Sequence, residues 1–363
     1  MSERTADVDG IHEVRGGDLA NWDGLAVTAP GGHVFQSRAY GEFQARLGWR
    51  VRWLRFADGF PVMVLQRRWP WIGGWSAYVP RGPVPTGGPE DAADRLTTLA
   101  RWLARRGVSV LAADPEVEAA SAFPGRIRAA GFRPIEELQP SRHRMRIPLA
   151  GRTADEVFAG IAKSTRQRIR RAEAGDAEIT RHDAPPARQG LDEFYDLLRA
   201  TGDRRGFTFG SREEFVGWWD AALAAGHLVH LSARTPAHGT IAGLLLYRHG
   251  GRISTVHSAD LASARAEHPG VLHLLRWRAI QLALAAECAE MDLGGVDVAG
   301  ARRVPEHGES MYGLYEHKRS FGAGWVELAG AHELVSDPVR YAAGRVTQRV
   351  ERVIARRGAE TAA

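Results

Sequence analysis

Lysine is almost missing. Of the 48 basic residues in this 363-residue chain, 46 are arginine and only Lys163 and Lys318 are lysine. Cysteine is scarcer still. The single Cys288 excludes a disulfide framework and a cysteine-rich zinc site, and it fits a reducing compartment. No HExxH run and no paired Cys/His ligand set is present, so no metal is expected. The first ten residues, MSERTADVDG, lack an apolar core, so no secretory signal is expected. The longest apolar stretches, such as Ile241 to Tyr247, fall well short of the roughly 20 residues that span a bilayer. These absences together predict a cytoplasmic protein.

What is present is globular. Apolar residues make up 44% of the chain and charged residues 25%, values that exclude wholesale disorder. The length suits two domains, or one large one, with packed cores. The net charge of +5 is modest, but its distribution is uneven. Nine basic residues fall between Arg142 and Arg171 (Arg142, Arg144, Arg146, Arg152, Lys163, Arg166, Arg168, Arg170 and Arg171), against Asp155 and Glu156 alone. Such a cluster points either to a polyanionic partner or to a solvated helix face in an arginine-rich chain.

Hydrophobic periodicity predicts two similar halves, residues 1–150 and 151–330, each a mixed sheet flanked by helices and α/β (α+β) in character. In the first, Trp49 to Phe56 and Val62 to Arg68 read as strands around a turn. Asp91 to Arg106 reads as an amphipathic helix carrying Leu96, Leu99 and Leu103 on one face. In the second, Leu228 to Ala233, Ile241 to Tyr247 and Ile253 to His257 read as an antiparallel meander. A long helix is expected from Pro269 to about Glu290, with Cys288 inside it as a buried small hydrophobe. Thr153 to Gly175 is predicted as one helix, opened by a capping box of Thr153 and Glu156. At about 100° per residue, Lys163, Arg166 and Arg170 fall within about 60° of one another and make a positive stripe, while Val157, Phe158, Ile161 and Ile169 face a core. Cations one turn apart match phosphate spacing on a nucleic acid or a pyrophosphate.

An ordered series of segments carries a resemblance. It comprises FQSRAYGEFQARLGW (35–49), YVPRGPV (78–84), KSTRQRIRRAEAG (163–175), FYDLLRATGDRRGF (194–207) and TIAGLLLY (240–247). It continues with HSAD (257–260), PGVLHLLRWRAI (269–280), MDLGG (291–295) and GLYEHKRSFG (313–322). In these the chain resembles the FemABX family of aminoacyl-tRNA-dependent transferases, which build peptidoglycan interpeptide bridges. The resemblance implies two tandem GNAT-like (acyl-CoA N-acyltransferase-like) domains, the first completed by the C-terminal segment 331–363. No heptad insertion lies between Gly202 and Leu244, so the chain resembles the compact type without a coiled-coil arm. The implied reaction is aminolysis: a stem-peptide amine of a peptidoglycan precursor attacks the ester carbonyl of aminoacyl-tRNA. The ester is already activated, so no cofactor is required beyond aminoacyl-tRNA as co-substrate. The implied partners are aminoacyl-tRNA and UDP-MurNAc-pentapeptide or a lipid-linked precursor, met by a monomer.

The resemblance also implies site residues. Lys318 stands at the lysine of the most specific segment, expected to contact a diphosphate or the forming oxyanion. Arg204 or Arg205 stands where the family grips the precursor's phosphates, with Phe207 or Phe209 at the aromatic position that follows. His257 replaces a tyrosine, and Gln44 replaces a basic residue. Asp292, at a strand end before Gly294 and Gly295, and Glu316 are the candidate bases. Lys163, Arg166 and Arg170 would hold tRNA or another polyanion. His227 and His230 read as packing or surface residues.

Two other functions fit parts of the sequence. An acetyl-CoA-dependent acetyltransferase would need a pyrophosphate loop ahead of a helix. Arg319, Gly322 and Gly324 match its spacing, but Trp325 to Leu328, which follows, reads as a strand. A non-catalytic RNA-binding module would use the basic helix alone. The final helix from Pro338, with Val346, Val350 and Val353 expected inward and a basic outer face, suits either domain completion or peripheral contact with an anionic membrane face.

Overall fold

The computed structural model describes residues 10–139, 142–185, 188–205, 210–296 and 303–361, with backbone alone at 205 and 350–361. The chain divides into two compact units. One holds residues up to Val27, Gly31–Gln139 and Leu328 onward; the other holds Thr28–Pro30 and Pro140–Glu327.

The first unit opens with β1 (His12–Glu13), α1 (Arg38–Arg46), β2 (Arg50–Arg55), β3 (Pro61–Arg68) and β4 (Trp75–Val79). It continues through α2 (Pro89–Ala104), β5 (Val108–Ala113), α3 (Phe123–Ala129) and β6 (Arg133–Pro134). The second unit runs β7 (His143–Pro148), α4 (Ala154–Gly160), α5 (Lys163–Glu173), β8 (Glu178–His182), α6 (Arg188–Arg205) and α7 (Arg212–Ala224). Then come β9 (Leu228–Thr235), β10 (Gly239–His249), β11 (Arg252–Asp260), α8 (Val271–Ala285), β12 (Glu290–Asp292), α9 (Tyr312–Arg319) and β13 (Gly324–Glu327). The chain then returns to the first unit with β14 (His332–Val335) and α10 (Pro338–Thr361).

Each unit is built on a seven-stranded mixed sheet, ordered β1-β2-β3-β4-β5-β14-β6 in the first and β13-β7-β12-β11-β10-β9-β8 in the second. Each contains one parallel pair, β4 with β5 and β11 with β12. Parallel neighbours need a long crossover, and α2 and α8 supply it. Strand β14 enters between β5 and β6 and pairs antiparallel with both. Residues 143–148, which fall within the 1–150 half of the sequence reading, form β7 of the second sheet, paired with β12 and β13.

The cores follow the periodicity. Leu96, Leu99 and Leu103 on α2 are fully buried against the first sheet, each worth about 1.5–3 kcal/mol of apolar burial. Ile241 to Tyr247 on β10 is buried throughout because helices cover both faces of the sheet there. That is why the strand reads as an unbroken apolar run without alternation.

Three expectations change. The helix predicted over 153–175 is two helices. The capping box of Thr153 and Glu156 opens α4, but Ile161 and Ala162 are extended and α5 begins afresh at Lys163. The Ala162 amide donates to the Ser320 carbonyl at 2.8 Å, tying the break to the end of α9. The helix from Pro269 is shorter, ending at Ala285, so Cys288 lies beyond it, buried in the following turn. On α10 the docked face is Tyr341 and Gly344 against Trp69, and a Cβ on Gly344 would come within 2.3 Å of that indole. Val346 is instead 60% exposed, and the side chains of Val350 and Val353 lie outside the described residues.

Candidate active site

Strand β12 ends in a glycine loop that three side chains fasten. The carboxylate of Asp292 accepts the Gly294 amide at 2.8 Å, closing a tight turn in which Gly294 has φ +74°. The ring of His143 accepts the Val296 amide at 2.6 Å while stacking on Trp325, 3.6 Å between centroids. The Lys318 ammonium, buried under the loop, donates to the carbonyls of Gly294 and Gly295 at 2.9 and 2.6 Å. The resemblance puts Lys318 on substrate phosphate or an oxyanion; the structure places its charge on the backbone of the loop.

A second feature lies where β11 gives way to α8. Gly270 caps α8 with φ +91°, and a Cβ there would lie 2.5 Å from the Arg168 carbonyl, so α5 and α8 meet at a distance only glycine permits. The close approach sets Arg168 and Arg171 of α5 beside the N-terminus of α8. With Arg265, His268 and His273 they line a groove of about 420 Å³. A helix N-terminus carries partial positive charge and amide donors, so the helix, Arg168 and Arg171 present the same sign to a ligand, while Asp260, also in the lining, offsets Arg265.

The other predicted cations are spent differently. Arg144 and Arg146 pair with Glu290 across β7 and β12. Arg166 donates to the Ala159 and Ile161 carbonyls, 2.6 Å each, capping the end of α4. Arg170 is exposed with its guanidinium 5.6 Å from the Phe158 ring, and Lys163 is exposed at the start of α5. The nine-cation window is therefore not one patch. Its groove-facing members are Arg168 and Arg171, not Arg166 and Arg170.

Arg204 on α6 donates to the Thr201 hydroxyl at 3.2 Å and stands 3.6 Å from Asp260, which also pairs with Arg265. The side chain of Arg205, and Phe207 and Phe209, lie outside the described residues. Glu316 is held by Arg319 at 2.9 Å on the α9 surface. His257 packs against both Phe215 and Trp219, 5.7 Å from each, and desolvation holds its pKa to about 4, so it is neutral at pH 7. Burial raises the Cys288 thiol, which disfavours a thiolate.

Gln44 belongs to a polar cluster in the first unit. It hydrogen bonds Tyr40, whose pKa burial and the Asp114 charge push up. Asp114 accepts from the Tyr78 hydroxyl at 3.0 Å and the Arg81 amide at 2.7 Å, and burial lifts its pKa to about 6 against the pull of Arg81. Arg81, itself buried, has φ +49°. Sequence reasoning also passes over Arg276 on α8. It is buried beside Phe321, and two of its guanidinium nitrogens have no partner among the described residues. It reads in the sequence as one more arginine in an apolar helix.

Residues 161–319 match the family model described as an acetyltransferase (GNAT) domain. The structure is similar to that of FemX, with a TM-score of 0.76 at 18% identity over 92% of this chain and 99% of that one. It is also similar to a conserved protein of unknown function from Bacteroides thetaiotaomicron (TM-score 0.54, 12% identity, 89% and 98% covered). L-PGS from Bacillus licheniformis follows at 0.51 (13% identity, 84% and 89% covered). No curated protein matches in sequence. The chain thus has the tandem GNAT-type acyltransferase fold. FemX is its near full-length structural counterpart, and the FemABX-like reading of the sequence holds at the level of fold.

Proposed function

We propose that the protein is an aminoacyltransferase that moves an amino acid from aminoacyl-tRNA to the stem-peptide amine of a peptidoglycan precursor. The observation that carries this reading is the groove at the start of α8, where Arg168 and Arg171 stand beside a helix N-terminus. Such a site suits the phosphates at the 3′ end of a charged tRNA. The resemblance of nine ordered segments to FemABX proteins supports the acceptor.

In the reaction the acceptor amine attacks the ester carbonyl carbon. A C–N bond forms, the C–O ester bond breaks, and the ribose oxygen leaves with the electron pair. The proton shed by the attacking nitrogen ends on that oxygen. An activated ester needs positioning more than it needs strong acid–base help. The glycine loop is held in one geometry by Asp292, His143 and Lys318.

An acetyl-CoA acetyltransferase is the rival on the same fold. The Arg319, Gly322 and Gly324 spacing does not serve it, because Gly324 is the first residue of β13 and no helix N-terminus follows. Incubating the protein with a mixed charged-tRNA pool, acetyl-CoA, and both soluble and lipid-linked precursors, then weighing the products, tests the reading. An aminoacyl mass gain that depends on tRNA is expected. An acetyl gain, or no gain on either precursor, would overturn it.

A further inference from the structure

We propose a binding site for a divalent transition-metal ion, with Zn²⁺ as the fitting probe, formed by His238, Glu267 and His268 with Asp176 behind them. The ligand atoms of His238, Glu267 and His268 all lie within 4.8 Å of one another. Nε2 of His238 is 2.9 Å from a Glu267 carboxylate oxygen, and Nδ1 of His268 is 3.1 Å from Asp176. Zinc bonds of about 2.0–2.2 Å to imidazole and carboxylate place neighbouring tetrahedral ligands a little over 3 Å apart, so small rotations of the side chains bring the three onto one ion. Asp176 engages the far nitrogen of His268, leaving Nε2 for the metal. A carboxylate in that position fixes the ring and raises its basicity. Two imidazoles and a carboxylate are a donor set that zinc accepts, with a fourth position left for water.

The residues come from three separate connections: Asp176 from the α5–β8 loop, His238 from the β9–β10 turn, and Glu267 with His268 from the β11–α8 loop. No short motif announces them, which is why a metal is not legible in the sequence. The two histidines are largely shielded, with side chains 27% and 12% exposed, while Glu267 is open at 62%, an entry path for an ion. His268 also lines the α8 groove. A bound ion pins the three connections together at the rim of that groove.

The test uses the full chain without a polyhistidine tag, stripped with chelator, and titrated with Zn²⁺ by calorimetry and equilibrium dialysis. One equivalent is expected to bind saturably, with thermal unfolding shifted upward by the ion. Asp176→Asn should weaken binding about tenfold, the loss expected of an outer carboxylate, and His238→Ala with His268→Ala should abolish the saturable phase. His307→Ala, a histidine elsewhere, should bind as the parent does. Absence of saturable binding by the parent chain overturns the proposal. So does affinity unchanged in the Asp176→Asn variant and the double variant, with circular dichroism confirming that each is folded. None of these readouts involves aminoacyl transfer.

Discussion

Lys318 Nζ lies 2.6 Å from the carbonyl oxygen of Gly295 and donates to it, from a side chain almost wholly withdrawn from solvent. One of the chain's two lysines is thus a fastener of the loop that follows β12. A compact ammonium can donate to two adjacent carbonyls at once, whereas a planar guanidinium directs its donors along a wider fork. Lys318→Met should remove the donor from the Gly295 carbonyl and leave the Gly294 carbonyl to the Met145 amide at 3.3 Å, lowering stability by about 1–3 kcal/mol, with a loss of transfer of about tenfold or more. Lys318→Arg should lose comparable activity. Melting and steady-state kinetics on the two variants check this; full activity in Lys318→Arg would remove the loop from the mechanism.

Gly270 makes the next prediction. An L-residue there meets both the positive φ and the Arg168 carbonyl at 2.5 Å. The left-handed conformation alone costs about 1–2 kcal/mol. Gly270→Ala should therefore destabilise the protein by more than that, and should push α5 from α8 and weaken tRNA binding. Gly308, which also has positive φ but nothing within 4 Å of an added Cβ, serves as the control in the same melting experiment. Equal losses at the two positions would mean that the α5–α8 contact contributes nothing.

Arg168 and Arg171 can be separated from the rest of the basic helix by salt. If they meet phosphate, Arg168→Ala and Arg171→Ala should each weaken tRNA binding and flatten the slope of log K against log salt by about 0.7–0.9 per lost contact. Arg166→Ala should leave that slope unchanged while lowering stability, since its guanidinium is committed to the Ala159 and Ile161 carbonyls. Binding measured by filter retention over a salt series distinguishes the two kinds of arginine.

That distinction also shows where the sequence is legible. Apolar spacing locates α2, β10 and the capped start of α4, because burial imposes a period that side chains must obey. Helical geometry aligns Lys163, Arg166 and Arg170 correctly on α5, yet alignment says nothing about what else lies within reach. The break at Ile161 brings two open carbonyls to Arg166, and the close crossing at Gly270 turns Arg168 and Arg171 to the groove. Both depend on contacts distant in sequence. Lys318 stands out by motif, but its partners are loop carbonyls more than 20 positions away, which no periodicity reports. Arg276 is invisible for the same reason: the state of its guanidinium is a property of its surroundings.

The pH response of the second unit follows from its histidines. Desolvation holds His230 to about 3, His257 and His273 to about 4, and His317 to about 2, the last also repelled by the Arg276 charge. Their ordinary value is about 6.5. Between that value and about 4 the unfolded chain binds protons that the native state refuses, so stability is complete above pH 6.5 and is lost as pH falls toward the folded pKa values. Asp114 in the first unit works in the opposite sense. Its folded pKa of about 6 lies above the ordinary 3.8, so its contribution is full below the lower value and declines as pH rises through the higher. Urea unfolding from about pH 4 to 8 should therefore show His230→Leu flattening the acid loss. Asp114→Asn should be most costly, relative to the parent, at the acid end. An Asp114→Asn deficit that grows as pH rises from about 4 to 7 would mean that the Arg81 pairing outweighs burial and that the carboxyl is ionised well below its folded value of about 6.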